Sequence, residues 1–399
     1  MKTIKKRVII ITFFVIGFYR LFAQTGGYAG SFLMNGIGVR AFGMGNAYVG
    51  FASDLTAGYW NPAGLARLYQ PQFGFMVSAL TFDRQLNYAA YVQPTPWKST
   101  FGLIWIHYGV GDIENRDALG QYLGSFSDSE NAFLLSAGFA LHKNIFMGFT
   151  GKMLLHDLQN YRAFGFGFDL GLQGRLSEKF IIGASARNLL ASITWNTENS
   201  TKEKLPLNYR IGLCYLPVTR CRVCLDLESV APPEKTFHLF KDPALFIGSE
   251  FDIIKNIAIR LGCRKGEPTL GCSFKHWVKN IAFELNYGYS GDLMYNGAVQ
   301  RIEAVISLGQ PKDPMQKNEK SYNGRVIDIK SGFILVEIEK IPGLKVDKRV
   351  SIFKKARVKK QPVILYNHGR ITRMNKNRVL IQLDNDTVLS KGDEITIVY

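Results

Sequence analysis

The sequence predicts an all-β chain: a 14-stranded antiparallel transmembrane β-barrel with an N-terminal plug, followed by a small soluble β domain. Three observations carry this expectation. From Gln72 to Gly309 short segments alternate in polarity with period two. The connections between them alternate between short and long. Beyond Gly309, a polar stretch with two prolines leads into a sequence that repeats at an offset of 45 residues.

Residues 1–23 are read as a secretory signal peptide. Lys2, Lys5, Lys6 and Arg7 precede an apolar run from Val8 to Phe18, and Ala23 offers a small residue for cleavage. That run is too short for a membrane helix, which needs about 20 apolar residues, and no later stretch approaches this length. Membrane insertion must therefore use strands closed into a barrel.

Residues 71–310 carry the barrel pattern. In 161–173, Phe164, Phe166, Phe168, Leu170 and Leu172 fall on one face, and Gly165, Gly167, Asp169, Gly171 and Gln173 on the other. Residues 281–290 repeat the scheme, with Ile281, Phe283, Leu285, Tyr287 and Tyr289 on the apolar face. Large apolar side chains facing out and small or polar ones facing in suit a wall between lipid and lumen. The segments number fourteen: 72–82, 85–94, 99–109, 131–142, 144–157, 161–175, 179–194, 207–216, 220–230, 244–253, 256–265, 268–276, 279–290 and 297–309. Every second connection is short, whereas 110–130, 195–206, 231–243 and 291–296 are long polar stretches. Short turns on one rim and long loops on the other place the rims at the periplasm and the cell exterior of a Gram-negative (diderm) outer membrane. An even strand number returns the chain to the side it entered, so whatever follows the barrel is periplasmic.

Residues 311–320 read as a linker by composition. In 321–399, Gly324-Arg325-Val326 corresponds to Gly369-Arg370-Ile371, Val336 and Ile338 to Ile381 and Leu383, and Val350 and Ile352 to Ile395 and Ile397. Two strands, a loop and a third strand per half predict one small periplasmic β-barrel. The formal charge of +17 concentrates here. Residues 1–23 hold five basic and no acidic side chains and residues 311–399 nineteen basic against ten acidic, which leaves only +3 for the middle. Lys354, Lys355, Arg357, Lys359 and Lys360 form the densest run. It is either a solvated loop between the repeat halves or a patch for an anionic surface such as lipid headgroups, murein or a periplasmic partner. Export excludes nucleic acid.

A barrel of this size is wider than its inward side chains can fill, and residues 24–70 are the candidate plug. Residues 38–65 are rich in small side chains, and Asn61-Pro62 reads as the cap and first position of a tight helical turn. Arg40-Ala41, Gly43-Met44-Gly45-Asn46-Ala47 and Trp60-Asn61-Pro62-Ala63-Gly64-Leu65 resemble the N-terminal signature of the PorV/PorQ family, within the FadL superfamily of outer-membrane transporters. The resemblance implies that the Asn-Pro-Ala segment belongs to a plug inside the barrel mouth. Plug and gating candidates are Arg40, Gly43, Gly45, Asp54, Trp60, Asn61, Pro62 and Ala63. Arg40 and Asp54 are the plug's charged partners for the wall, or Asp54 caps a helix beginning at Leu55. Lumen candidates are Asp169, Arg187, Glu284, Arg301 and Glu303, along with Lys152, Arg210, Asp226 and Glu250.

No motif activates a nucleophile, and the chain reads as a non-enzyme without cofactor. Gly36-Ile37-Gly38-Val39-Arg40-Ala41 fits GxGxxA without the βαβ unit that a dinucleotide needs. The six histidines lack ligand spacing, so no metal is expected. Of five cysteines, Cys263 and Cys272 are placed to face each other across a hairpin turning at Gly266-Glu267-Pro268, although unpaired thiols are favoured. The FadL resemblance implies a plugged channel for capture or passage of hydrophobic or amphipathic small molecules. The PorV resemblance implies instead an accessory of type IX secretion that binds exported proteins as cargo. A third reading is a structural anchor for the periplasmic domain.

Overall fold

A computed structural model describes residues 27–218, 220–233, 243–254, 256–292, 297–309, 321–330, 333–338, 349–358, 361–375, 378–383, 389 and 393–398. The expected signal peptide and linker lie outside them. The chain divides into two compact units, Met1–Pro314 and Met315–Tyr399.

The strands of the first unit, among the described residues, are β1 (Gln72–Ala79), β2 (Arg84–Pro94), β3 (Ser99–Arg116), β4 (Tyr122–His142), β5 (Ile145–Leu158), β6 (Tyr161–Arg175), β7 (Phe180–Trp195), β8 (Lys202–Lys204), β9 (Leu207–Val218), β10 (Cys221–Ala231), β11 (Ala244–Ile254), β12 (Ile257–Arg264), β13 (Glu267–Val278), β14 (Ile281–Asp292) and β15 (Gly297–Leu308). Fourteen of them close a barrel of antiparallel neighbours. β1 pairs with β15 from Gln72 opposite Ser307 to Ala79 opposite Gln300, and β7 pairs with both β6 and β9. The three-residue β8 adds to the outer end of β7 where β9 has left it. Closure satisfies every edge, which a lipid environment demands.

Burial follows the dyad pattern. Phe164, Phe166, Phe168, Leu170 and Leu172 are all exposed, whereas Ala163, Gly165, Gly167, Asp169, Gly171 and Gln173 are buried. Phe73, Phe75 and Val77, Phe101, Leu103 and Trp105, and Phe283 and Leu285 extend the same outward apolar surface around the wall. This is a face built for hydrocarbon rather than water.

The stretch 110–130 is not a loop. β3 and β4 continue past their apolar portions and stay paired through Val110 opposite Asp128, Ile113 opposite Phe126 and Arg116 opposite Tyr122, leaving only residues 117–121 as the connection. Asp117 closes it by accepting from the backbone N–H of Leu119 (2.9 Å) and Gln121 (2.8 Å). Where neither face meets lipid or a packed core, alternation disappears from the sequence although the backbone ladder persists. Cys263 and Cys272 stay unpaired, as favoured, whereas the expectation of unpaired thiols fails for Cys214 and Cys224. Lys265 and Gly266, at φ of 50° and 90°, make a two-residue turn that sets Cys263 opposite Pro268 and Cys272 opposite Ile259. Cys214 and Cys224 lie directly opposite on β9 and β10, fully buried, and form the disulfide.

In the second unit, β16 (Ser321–Lys330), β17 (Phe333–Ile338), β18 (Arg349–Val358), β19 (Gln361–Asn375), β20 (Arg378–Leu383) and β21 (Glu394–Val398) close in the order β16-β17-β20-β19-β18-β21. Exchanging the two repeat halves returns the same ring. Ile334 pairs with Ile381 and Val336 with Val379, while Ser351 pairs with Val398 and Phe353 with Thr396, so each central pairing is self-complementary at the 45-residue offset. Both halves break register at the same place, between Val326 and Asp328 and between Ile371 and Arg373. Val326, Ile334, Val336, Ile352, Ile371, Val379, Ile381 and Ile397 supply one shared core. The basic run is not a loop: Lys354, Lys355 and Arg357 lie on β18, with Arg357 opposite Pro362 on β19. Lys359 and Lys360 lie outside the described residues. Because neither half can bury its core alone, residues 321–399 expressed by themselves should give a dispersed amide NMR spectrum, and either half alone a collapsed one.

Candidate functional site: the seat of the plug

Four short helical pieces form the described plug: Ser31–Met34, Val39–Gly43, Ala57–Trp60 and Pro62–Arg67. Asn61 leaves the helical region (φ −158°), accepts from the Ala63 N–H at 3.2 Å, and hands over to Pro62 at the first position of the next turn. Its amide N–H₂ donates to Val49 O (3.0 Å) within the plug and to Leu172 O (2.9 Å) on the wall. Trp60, 1% exposed, donates its indole N–H to Ile37 O at 2.9 Å, and its ring lies edge-on to Tyr48 and Tyr59. Ala63 is fully buried on the same turn.

Charged groups of the wall grip this unit. Arg40 donates Nε and Nη2 to the two oxygens of Glu250 (2.8 and 2.7 Å), and the same carboxylate accepts from Arg222 (2.9 Å) and Arg260 (2.7 Å). Asp226 accepts the backbone N–H of Tyr48 and Val49, each at 2.8 Å. Arg210 donates to Asn46 O (2.7 Å), and Arg301 to Gly36 O (2.8 Å) and Asn35 O (3.2 Å) while stacking on Phe42. Asp54 does not reach the wall: it accepts from the Tyr48 hydroxyl (2.5 Å) and from Thr56 N (2.9 Å) and Oγ1 (2.6 Å), closing a turn before a helix that starts at Ala57 rather than Leu55.

Glycine supplies the remaining fit. A Cβ on Gly148 or Gly171 would overlap Pro62 or Asn61, and one on Gly248 or Gly262 would overlap the backbone of Met44 or Gly45. Gly43 and Gly45 are close-approach positions for the same reason, with Gly43 against Gly271 and Gly45 against Cys263. Gly138, Gly148 and Gly171 are register neighbours, as are Gly248 and Gly262, and Gly271 and Gly288. The wall is smooth where the plug backbone lies on it.

Of the other lumen candidates, Arg187 also meets the plug, and the rest serve local structures of the wall. Asp169 accepts from Lys152 (2.7 Å) and from the Asn188 N–H (2.8 Å), filling a gap in the ladder where β7 bulges at Asn188 (φ 64°) and Leu190 (φ 53°). Arg187 lies over the Tyr59 ring and reaches Asn208 at 3.2 Å. Glu303 accepts from the Tyr88 hydroxyl, and Glu284, half-buried, pairs with Lys275 at 3.2 Å. The reading of residue types overlooked Arg222 and Arg260, whereas it did set glycines such as Gly171 on the inner face. Arginine at an inward position of a period-two strand is the signal that could have found both.

A sealed wall with a packed, polar-anchored insert defines a plugged transmembrane β-barrel. No known family model matches this chain, and no curated protein matches it. Among solved structures it is similar to CymD, a monoaromatic hydrocarbon channel, at 13% identity and a TM-score of 0.48 over 72% of this chain and 100% of that one. It is also similar to the toluene transporter TodX of Pseudomonas putida (12%, 0.46, 68% and 98%) and to a FadL homologue of Pseudomonas aeruginosa (10%, 0.45, 68% and 96%). At these values the architecture rests on the chain's own strand closure.

Proposed function

We propose that the chain is an outer-membrane channel of a diderm bacterium, closed at rest by the plug in residues 24–70, that admits hydrophobic or amphipathic small molecules when the plug shifts. The observation that carries this reading is an apolar cluster between plug and wall, beside the charged anchors. Leu86, Ile104, Ile106, Leu134, Leu154 and Ile193 of the wall form one cluster with Phe32, Leu33 and Trp60 of the plug. A porin for ions or sugars keeps an open, water-filled lumen with no such apolar packing across it. In this reading the barrel spans 71–310, and 321–399 is a periplasmic domain whose basic strand approaches murein or anionic headgroups.

Asn61→Ala removes a cap worth about 1 kcal/mol and Pro62→Gly loosens the turn, so both should raise conductance in planar bilayers and alter uptake of hydrophobic compounds. Unchanged conductance and uptake in both variants would remove the transport reading.

A specific observation favours a second reading, an accessory of type IX secretion. The β3–β4 hairpin carries Leu119, Tyr122 and Leu123 at 85%, 59% and 63% exposure near its tip, an apolar surface suited to exported protein. Replacing these three with Ser should strand exported proteins with uptake unchanged if this reading holds, and should leave export intact if the channel reading holds.

A further inference from the structure

At the long-loop end of the barrel, β4 and β5 place Glu130 opposite His156, with Asp128 two residues further along the same inward face. His156 Nε2 lies 2.7 Å from Asp128 Oδ1, and its Nδ1 lies 3.8 Å from Glu130 Oε2. One ligand atom from each of the three residues falls within 4.8 Å of the others. We propose that Asp128, Glu130 and His156 form a site for a divalent first-row metal ion, Zn²⁺ by ligand chemistry, at the outer mouth of the barrel.

Glu130 is the second, separate observation. It is 8% exposed, points into the cluster, and accepts no hydrogen bond among the described residues, since 3.8 Å is beyond hydrogen-bond reach. A carboxylate this buried is offset only by the imidazole at 3.8 Å, beside a second carboxylate, and a cation bound by all three supplies the missing charge. Imidazole nitrogen and carboxylate oxygen are zinc donors at about 2.0–2.2 Å, whereas Ca²⁺ and Mg²⁺ prefer oxygen alone. Trp195 packs against the imidazole with ring centroids 4.8 Å apart, which holds the ring with Nε2 toward Asp128. The ion takes the place of the hydrogen bond between His156 Nε2 and Asp128 Oδ1. Adjacent ligands of a tetrahedral zinc stand about 3.3 Å apart, so this pair opens by roughly half an ångström while the Glu130 carboxylate, now nearest Nδ1, swings toward the Nε2 edge of the ring. Three protein donors leave a fourth position for water from the mouth. No ligand spacing in sequence announces the site, because strand pairing rather than a helix or knuckle brings the donors together.

The test uses the full chain in detergent, stripped with chelator and titrated with Co²⁺. The expected result is one equivalent bound, seen as visible d–d absorption that Zn²⁺ bleaches, together with quenching of Trp195 fluorescence by Cu²⁺. His156→Gln and Glu130→Gln should each weaken binding by about tenfold or more, and His107→Gln, whose ring sits beside Asn131, should not. Glu130→Gln keeps the side-chain volume, so heat-modifiable migration of that variant on a gel separates lost binding from lost folding. Wild-type protein without stoichiometric Co²⁺ binding would overturn the proposal. Equal affinity in wild type and in a folded His156→Gln or Glu130→Gln variant would also overturn it.

Discussion

Replacing Glu250 with Ala is expected to free the plug while the barrel wall stays closed. This carboxylate is 2% exposed and is shared by three guanidinium groups, one from the plug and two from the wall. Removing one partner of a buried ion pair costs about 3–5 kcal/mol, because the remaining charges lose their compensation. Arg222 keeps Asp252 at 2.9 Å, and Arg260 keeps Asn286 at 3.1 Å and Ser273 at 3.2 Å. Among the described residues Arg40 keeps a hydrogen bond to Ser53 at 3.4 Å and its ring contacts, so the strain falls on the plug. In Glu250→Ala, proteolysis within residues 35–60 and single-channel conductance should both rise, with heat-modifiable migration preserved. Arg40→Ala should act more weakly, since Glu250 then retains two arginines. A Glu250→Ala protein with a protected plug and wild-type conductance would show that the ion cluster does not hold the plug.

A single methyl-bearing side chain on the inner wall should act in the same direction. A Cβ at Gly262 meets the backbone of Met44 and Gly45, which has no flexible end to move aside. Overpacking of this kind costs about 1–3 kcal/mol, and here it can be relieved only by lifting the plug off the wall. Gly262→Val should therefore expose the plug to protease. Gly151→Val, on the outward face of β5, is the control for the substitution itself, because a Cβ there meets nothing within 4 Å. If the two variants are cut at the same rate, close backbone contact is not what seats the plug.

The fourteen strands were legible because lipid on one side and a packed interior on the other write a period of two into each segment. Legibility ended where that contrast ended. The hairpin through Val110 and Asp128 is paired backbone with polar residues on both faces, and it reads as a loop until the partner strand is known. The Asn61-Pro62 turn could be read from local chemistry alone, since cap and proline act within three residues. The partner of Arg40 could not, because Glu250 lies 210 residues away. Asp54 shows the converse: its charge suggested the wall, but hydroxyls two and six residues away were closer competitors.

The same division holds for the tail, where the repeat was visible at its 45-residue offset and the intertwined order of the two halves was not. By itself the sequence determined the class of the protein, its strand count, the identity of the plug and the existence of a second β unit, because these follow from local periodicity, turn chemistry and repetition. Only the tertiary structure decided which wall residues hold the plug, which cysteines pair and which donors meet at the mouth. Those depend on register between strands distant in sequence, and register is fixed when the barrel closes.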